Sequence, residues 1–406
     1  MRILLVGNSF GFPNGSGAGA RVRSYARGLI ACGATPYVAT MNLERPSRSG
    51  SSNQCQGGEW RGIEYEYTAG TTEAARSIFG RLLQEFPSAL RLAKILLCHR
   101  ESPSFDCAVL FGMSFRWFAV LRILTWLSGV PLVVERNEFP FVWCAAPSRI
   151  QRMHRAVFEF CVSRSCDGVI VISRFLEGYF AARLRPGSPI LRVPILVSHD
   201  DFVTQGRKPN DVVLYVGSLS HDGEVESLMS AFAVVGNLHS STELVVAGGG
   251  TSADLVRLRS SAGLLGLADR VRFVGQVGSD EIPSLIMSAR VLALPRASGT
   301  FSTAGFPTKL GEYLASGRPV VVTATGDIPL YLTDCVDCFL VPPDDVRAFS
   351  AALQAALEDP DAVRIGEAGR ATAIREFDPK VHMQRLIDMV AALSGRAAHE
   401  QNDCAT

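Results

Sequence analysis

The chain has 406 residues, 47% of them hydrophobic and 19% charged, with a formal net charge of +1. That length fits two or three packed domains, and the near-neutral charge supplies no field to gather nucleic acid, so no nucleic-acid partner is expected. Ten scattered cysteines form no disulfide framework, and the single C-x-x-C at 335–338 has no second pair to complete a zinc site, so free buried thiols are expected.

Strand signals followed by helical stretches recur along the chain, the pattern of parallel sheets with crossover helices. The run Ile3-Leu4-Leu5-Val6-Gly7 is a strand start, too short and too abruptly ended for a signal peptide. Loop 8–18 carries Gly11, Gly15 and Gly17, a helix is expected from about 20 to 32, and a strand covers 37–40. Residues 44–62, polar and rich in Gly, Ser and Arg, read as a mobile surface excursion. A helix over 73–98 interleaves Arg76, Arg81, Arg91 and Lys94 with Phe79, Leu82, Leu83, Leu90 and Leu92, and a strand follows at 107–111. Residues 115–134 are the most membrane-like stretch. Arg116, Arg122 and Pro131 divide it into a helix (115–127), a Ser128-Gly129 turn and a core strand (130–134), so no membrane-spanning helix is expected. Glu135-Arg136-Asn137-Glu138 leaves that strand as the most polar strand exit of the first half, suited either to hydrogen-bonding a sugar or to an ion-paired cap. A strand at 169–171 and a helix opening at 172–174 close this half. Pro186, Pro189, Pro194 and Pro209 then mark a boundary, with one more strand at 190–193.

The second half restarts the alternation. Strand 212–216 meets Gly217-Ser218, strand 244–247 runs into Gly248-Gly249-Gly250, and strand 271–274 ends at Gly275, just before Val277. Helices are expected to about 235 and over 253–264 and 279–288. Each strand-to-glycine exit suits either a nucleotide against the sheet edge or a tight turn without a ligand. Strand 291–294 leads through Pro295-Arg296 into a loop that lasts to Phe306, and Arg296 there suits a phosphate or plain solvent. Next comes Gly305-Phe306-Pro307-Thr308-Lys309-Leu310-Gly311-Glu312-Tyr313-Leu314-Ala315-Ser316-Gly317, a loop, a helix with Pro307 at its first position, and a glycine stop. Lys309 in the first turn opposes the macrodipole unless an anion sits between it and the free N–H groups; a Lys309–Glu312 ion pair is the plainer reading. Strand 339–341, helices over 346–357, 361–377 and 380–393, and a disordered tail from 397 complete the chain.

Other chemistries find little support. Gly15-Ser16-Gly17-Ala18-Gly19-Ala20 fits G-x-G-x-x-G/A in form, but it lies eight residues past the strand end and no acid ends the next strand, so a nicotinamide site is rejected. No D-x-D motif ends a strand, and His221, His239 and His382 have no clear acid partner in sequence to complete a nucleophile–base–acid set, which removes the expectation of a divalent metal or a serine hydrolase.

The stretch 305–322, with Leu294-Pro295-Arg296 before it and Val216-Gly217-Ser218-Leu219 upstream, resembles the GT-B glycosyltransferases of family 4. It is most similar to the subgroup with an F-P-x-K-L-x-E-Y-L-A-S/T-G-x-P-V-V stretch. The resemblance implies an α/β chain of two Rossmann-like, doubly wound parallel-sheet domains facing across a cleft, with a C-terminal helix crossing back to the first. The bounds are then 1–190 for an acceptor domain, 191–377 for a donor domain, 378–396 for the returning helix and 397–406 for a tail. It also implies retaining, metal-independent transfer of a sugar from a UDP- or GDP-linked donor, with no resident cofactor. The family's first glutamate falls at Ala304, its basic pair near Ser218 and Asp222, and its histidine at Asn137, so Lys309 and Arg296 are expected to supply the charge on the diphosphate. Lys309, Arg296, Asn137 and Glu138 are the expected catalytic residues, and Glu312 the ribose ligand. Gly17, Gly217, Ser218, Gly249 and Val277 join Gly305, Phe306, Pro307, Thr308, Lys309 and Leu310 in the expected donor site.

The acceptor is left open between a lipid-linked sugar, a polysaccharide and a small molecule, in polysaccharide, glycolipid or natural-product synthesis. A nucleotide-sugar epimerase and a non-catalytic nucleotide-sugar-binding protein are the alternatives. The expected location is cytoplasmic. The basic, apolar helices at 73–98 and 115–127 suit either a peripheral seat on the inner face of a membrane or ordinary core packing with solvated basic faces.

Overall fold

The computed structural model describes residues 1–15, 17–41, 43, 53–97, 105–112, 114–139, 149–202, 209–220, 223–236, 239–278 and 280–403. Of the expectations above, Ser16 of the glycine motif, the excursion over 44–52, the last residue of the helix at 73–98, His221, Asp222, the first residue of the helix at 279–288 and tail residues 404–406 lie outside them. The chain forms two compact units, one of residues 1–194 with 379–406 and the other of residues 195–378.

The first unit runs β1 (Arg2–Gly7), α1 (Gly17–Ala31), β2 (Thr35–Thr40), β3 (Gly57–Trp60), β4 (Ile63–Tyr67), α2 (Ile78–Leu97), β5 (Cys107–Phe111), α3 (Phe115–Ser128), β6 (Leu132–Arg136), α4 (Arg149–Ser165), β7 (Gly168–Val171), α5 (Arg174–Ala181) and β8 (Ile190–Arg192). Its eight strands are ordered β3-β4-β2-β1-β5-β6-β7-β8, parallel except for the β3–β4 hairpin. β5, β6 and β7 are buried along their whole length, which is why β5, β7 and the first three residues of β6 read as unbroken apolar runs rather than alternating ones. Gly7 is obligatory, because a Cβ there would lie 2.1 Å from the Phe111 carbonyl oxygen of the neighbouring strand.

Several local expectations change. The hairpin strand β3 falls inside the stretch read as an excursion; its Gly-Gly-Glu-Trp sequence has no apolar alternation, and pairing with β4 alone defines it. α2 begins at Ile78 rather than 73, and α4, with four arginines in 17 residues, runs from Arg149 to Ser165 ahead of β7. The core strand is β6, 132–136 rather than 130–134, since Pro131 lacks the ladder N–H. β8 hydrogen-bonds to β7, so residues through Pro194 stay with the first unit, past the boundary expected at 190.

The second unit runs β9 (Val212–Val216), α6 (Glu224–Gly236), β10 (Glu243–Ala247), α7 (Ser252–Leu264), β11 (Val271–Gly275), α8 (Ile282–Ser288), β12 (Val291–Leu294), α9 (Thr300–Ala304), α10 (Thr308–Ala315), β13 (Val320–Thr323), β14 (Phe339–Val341), α11 (Val346–Glu358) and α12 (Ala362–Phe377). Its six strands, all parallel, are ordered β11-β10-β9-β12-β13-β14. This is the doubly wound order that reverses beside its first strand, here between β9 and β12, where such folds place ligands. One core cluster joins Val213 and Tyr215 of β9, Phe232 of α6 and Leu353 of α11.

The final helix, α13 (Pro379–Asp403), belongs to the first unit and packs on α1. Gly28 allows this approach, since a Cβ there would meet the Pro379 carbonyl oxygen at 2.6 Å and Met383 Cγ at 2.7 Å. The helix continues to Asp403, where a disordered tail was expected from 397. No helix among the described residues is long and apolar enough to cross a membrane. The seven described cysteines are free, as expected, but Cys55 and Cys335 are exposed rather than buried.

Candidate functional site

In the second unit, β9 and β12 end side by side at the point where strand order reverses, and the residues after both are the ones singled out from the sequence. After β9, Gly217 accommodates Tyr215, whose hydroxyl would lie 2.5 Å from any Cβ added there. That hydroxyl donates toward the Ser218 carbonyl oxygen (3.2 Å) and Glu224 Oε2 (3.3 Å) at the start of α6. The Ser218 hydroxyl accepts the Ser220 N–H at 3.2 Å. Gly248, after β10, has φ +155°, and a Cβ there would overlap the Gly217 carbonyl oxygen at 1.6 Å. Its glycine is therefore demanded by the neighbouring loop whether or not a nucleotide binds. Gly249 is exposed and Val277 half-buried beyond β11.

After β12, Arg296 is 8% exposed, and burial pushes its pKa down against the opposing pull of Glu224 and Tyr215. Its Nη2 donates to Ser302 Oγ at 3.4 Å, the guanidinium lies 5.0 Å from the Phe301 ring centroid, and Nε has no hydrogen-bond partner among the described residues. Its backbone carbonyl accepts the Thr323 hydroxyl at 2.8 Å, which pins the loop to the end of β13. The stretch expected as loop to Phe306 contains a short helix, α9, that carries both Phe301 and Ser302. Gly326, at φ +55°, lets this segment pass close by, since a Cβ there would meet the Ser302 carbonyl oxygen at 2.6 Å.

Gly305 closes α9, its N–H donating to the Phe301 carbonyl at 3.0 Å. Pro307 then caps α10 in extended conformation with no side-chain cap, and Thr308 opens the helix, so the proline sits one place earlier than expected. Lys309 Nζ donates to Glu312 Oε2 at 2.7 Å, with side chains 24% and 22% exposed. The Phe306 ring lies in an aromatic cluster with Tyr331 and Phe377, and Leu310 is fully buried. Those two side chains are core residues, and only their backbone is left for a ligand.

Tyr313, in the same stretch, escaped the sequence reading. Its buried hydroxyl accepts the Val216 N–H at 2.6 Å and so fastens α10 to the exit of β9. The available signal was a tyrosine on the buried face of a short helix, whose hydroxyl needs a partner. Tyr313→Phe leaves that N–H buried and unmet, so unfolding free energy should fall by about 1–3 kcal/mol. Chemical denaturation of the variant checks this; an unchanged midpoint would remove the fastening role.

In the first unit, Gly17 is the exposed first residue of α1, and the loop before it is held by reciprocal hydrogen bonds between Asn14 and Asn53 of 2.9 and 2.8 Å. The polar exit of β6 divides in two. Glu135 accepts from Arg21 Nε at 2.6 Å and Arg136 is ion-paired with Glu159, all four side chains being buried. Asn137 and Glu138 follow the strand and are half-buried. No group of three or more His, Cys, Asp or Glu able to hold a metal ion occurs among the described residues.

Residues 210–359 match the model of the family described as glycosyl transferases group 1. Over 362 residues the chain is 27% identical to the GDP-mannose-dependent alpha-(1-6)-phosphatidylinositol monomannoside mannosyltransferase of Mycolicibacterium smegmatis, covering 84% of this chain and 90% of that one. It is 31% identical over 175 residues to the D-inositol 3-phosphate glycosyltransferase of Streptomyces griseus, a match covering 41% of this chain and 36% of that protein's length. Among solved structures, sucrose-phosphate synthase from Thermosynechococcus elongatus is similar with a TM-score of 0.72 and 19% identity, over 98% of this chain and 100% of that one. HepE of Anabaena in complex with UDP-glucose is similar at 0.68 and 18%, over 97% and 100%. Residues 210–359 are thus similar to the glycosyl transferases group 1, within a chain whose two Rossmann-like units have the GT-B fold.

Proposed function

We propose that the protein is a glycosyltransferase that moves a sugar from a nucleotide-diphosphate sugar to an acceptor hydroxyl with retention and without a metal. The observation that carries this reading is Arg296: a guanidinium nearly removed from water, with Nε unmatched, at the strand-order reversal of a domain similar to the glycosyl transferases group 1. A buried cation with an unused donor is suited to an anion. The start of α10 adds backbone N–H groups and Lys309, and Glu312, three residues on and paired with Lys309, is the residue we assign to the ribose. The names of two relatives and neighbours, GDP-mannose-dependent in one and in complex with UDP-glucose in another, support a nucleotide-diphosphate donor.

In this mechanism the acceptor oxygen bonds to the anomeric carbon on the face from which the diphosphate departs. The anomeric C–O bond breaks, the electron pair leaves with the nucleoside diphosphate, and a donor phosphate oxygen takes the acceptor's proton. Arg296, Lys309 and the helix start stabilise the charge that grows on the leaving diphosphate, which is electrostatic preorganisation rather than side-chain acid–base work. Asn137, Glu138 and Gly17 are proposed for the sugar and acceptor. The mannosyltransferase relative's name, with its phosphatidylinositol monomannoside, supports a lipid-linked sugar as the acceptor class.

Thermal unfolding with UDP, GDP and their sugars tests the reading, because a ligand present at a hundred times its Kd stabilises the folded state by about 2.7 kcal/mol. One nucleotide diphosphate and its sugar should raise the melting temperature, and transfer should persist in EDTA. No stabilisation by any of them would overturn the donor site. Loss of transfer in EDTA would overturn the metal-free mechanism, and epimerisation of free donor without acceptor would overturn the transferase assignment.

A further inference from the structure

Three neighbouring helices of the first unit turn apolar side chains outward where a crossover helix ordinarily presents polar ones. On α2, Phe79, Leu82, Leu83, Phe86 and Leu90 follow one another at i, i+3, i+4, i+7 and i+11, and all are exposed, Phe79 by 72% and Phe86 by 68%. The opposite face of the same helix supplies Leu92, Ile95 and Leu96 to the core, so α2 is apolar on two sides and only one of them is covered. α3, packed beside α2, exposes Ile123, Trp126 and Leu127, with Trp126 72% exposed. α4, packed against α3, exposes Met153, Val157 and Phe160 at i, i+4 and i+7. Isolated exposed hydrophobics need no explanation, but three adjacent stripes at helical spacing are a surface built for contact.

The charge on these helices selects the partner. They carry nine Arg and Lys against two Glu, a net +7 in a chain of formal charge +1, although Arg91 and Arg122 are paired with carboxylates off these helices, Glu66 at 3.3 Å and Asp167 at 2.8 Å. One of the two carboxylates, Glu159, is buried under α4 against Arg136, and the other, Glu85, is held by Arg116 at 2.9 Å. Arg81 and Lys94 stay exposed on α2, and Arg149, Arg152 and Arg164 on α4. Apolar stripes flanked by cations of one sign, with a tryptophan among them, match the chemistry of a bilayer surface: acyl chains beneath, anionic headgroups around.

We infer that the outward faces of α2, α3 and α4 form a docking surface for an anionic lipid bilayer, on which the protein lies peripherally. This inference stands on the first unit alone and does not depend on the donor reading.

Sedimentation of the full-length protein with vesicles tests it, using phosphatidylcholine alone and phosphatidylcholine mixed with phosphatidylglycerol. The wild-type protein should pellet with the mixed vesicles, bind the neutral ones at least about tenfold more weakly, and be partly released by high salt. Leu83→Glu/Phe86→Glu should lower binding to mixed vesicles by about tenfold or more, because two exposed apolar side chains that would enter the acyl region are replaced by carboxylates. Arg81→Gln/Lys94→Gln should cost about tenfold for mixed vesicles and little for neutral ones. All four positions are exposed, so circular dichroism and the melting temperature should stay at wild-type values. Absence of wild-type binding, or binding unchanged in the glutamate variant, would overturn the inference. So would equal binding to both vesicle types, which removes the charge argument. Concentration-dependent dimerisation in the ultracentrifuge, abolished by Leu83→Glu/Phe86→Glu, would assign the face to a second copy instead.

Discussion

Lys309→Ala is expected to lower turnover about 100-fold or more while leaving the melting temperature close to that of the wild type. The two effects separate because Lys309 has two roles of unequal weight. Its contact with Glu312, at 2.7 Å, joins side chains that are each about a quarter exposed. Such a pair contributes no more than about 1 kcal/mol to stability after screening. Toward a departing diphosphate the same ammonium lies at a helix start, where the macrodipole makes a cation unfavourable unless an anion is bound beside it. Loss of one preorganised contact to developing charge in acyl transfer costs about 100-fold to 1,000-fold in rate, and a diphosphate leaving group carries more charge than an oxyanion. Calorimetric titration with the nucleotide diphosphate that stabilises the wild type should show weaker binding by the variant. Binding and turnover both unchanged would remove Lys309 from the donor site. A large fall in melting temperature would show that its role is structural.

Arg21→Met should cost the first unit about 3–5 kcal/mol, the largest stability effect expected of any single substitution discussed here. Arg21 lies on α1 with its guanidinium out of water. Nε donates to Glu135 Oε1 at 2.6 Å, Nη1 to the Pro194 carbonyl at 2.8 Å, and Nη2 to the Val193 carbonyl at 2.9 Å and the Tyr25 hydroxyl at 3.2 Å. One side chain thus ties α1, the exit of β6 and the chain after β8. Its removal leaves a carboxylate and two carbonyls buried and unmatched. The Glu135 carboxyl is already pushed above the usual range by burial, with Arg21 opposing the shift; without Arg21 it rises further. An acid whose pKa is higher folded than unfolded binds more protons in the folded state, so the stability it leaves is present at acid pH and lost as pH rises through the folded pKa. The deficit of Arg21→Met should therefore be smallest in acid and grow toward neutral pH. Arg21→Met/Glu135→Leu should recover much of it, because replacing both charges removes the uncompensated one. Urea denaturation of both variants across pH measures this, and a deficit independent of pH would acquit the Glu135 charge.

Those four residues also show where sequence reading stopped. Glu135-Arg136-Asn137-Glu138 reads as one polar exit with two alternative uses, and the fold commits its first two residues to ion pairs. Glu135 and Arg136 are consumed by Arg21 and Glu159, partners more than 20 residues away in sequence, while Asn137 and Glu138 pass beyond the strand. Nothing local to the tetrapeptide could reveal which carboxylate would meet an arginine on α1.

What the sequence determined by itself is the sheet-and-helix alternation and the placing of the Arg296 and Lys309 region after β12. Buried parallel strands must be unbroken apolar runs, and short helices need their proline and glycine punctuation, so both leave local signals. Tertiary structure alone decided the rest. β3 exists because β4 pairs with it, α13 returns to the first unit because Gly28 lets two helices touch, and Phe306 turned inward because Tyr331 and Phe377 await it. It also decided that the Lys309 stretch sits beside the exit of β9, through the Tyr313 hydroxyl on the Val216 N–H. That contact spans 97 residues of chain, and long-range contacts of this kind are set by packing, not by any pattern of neighbours.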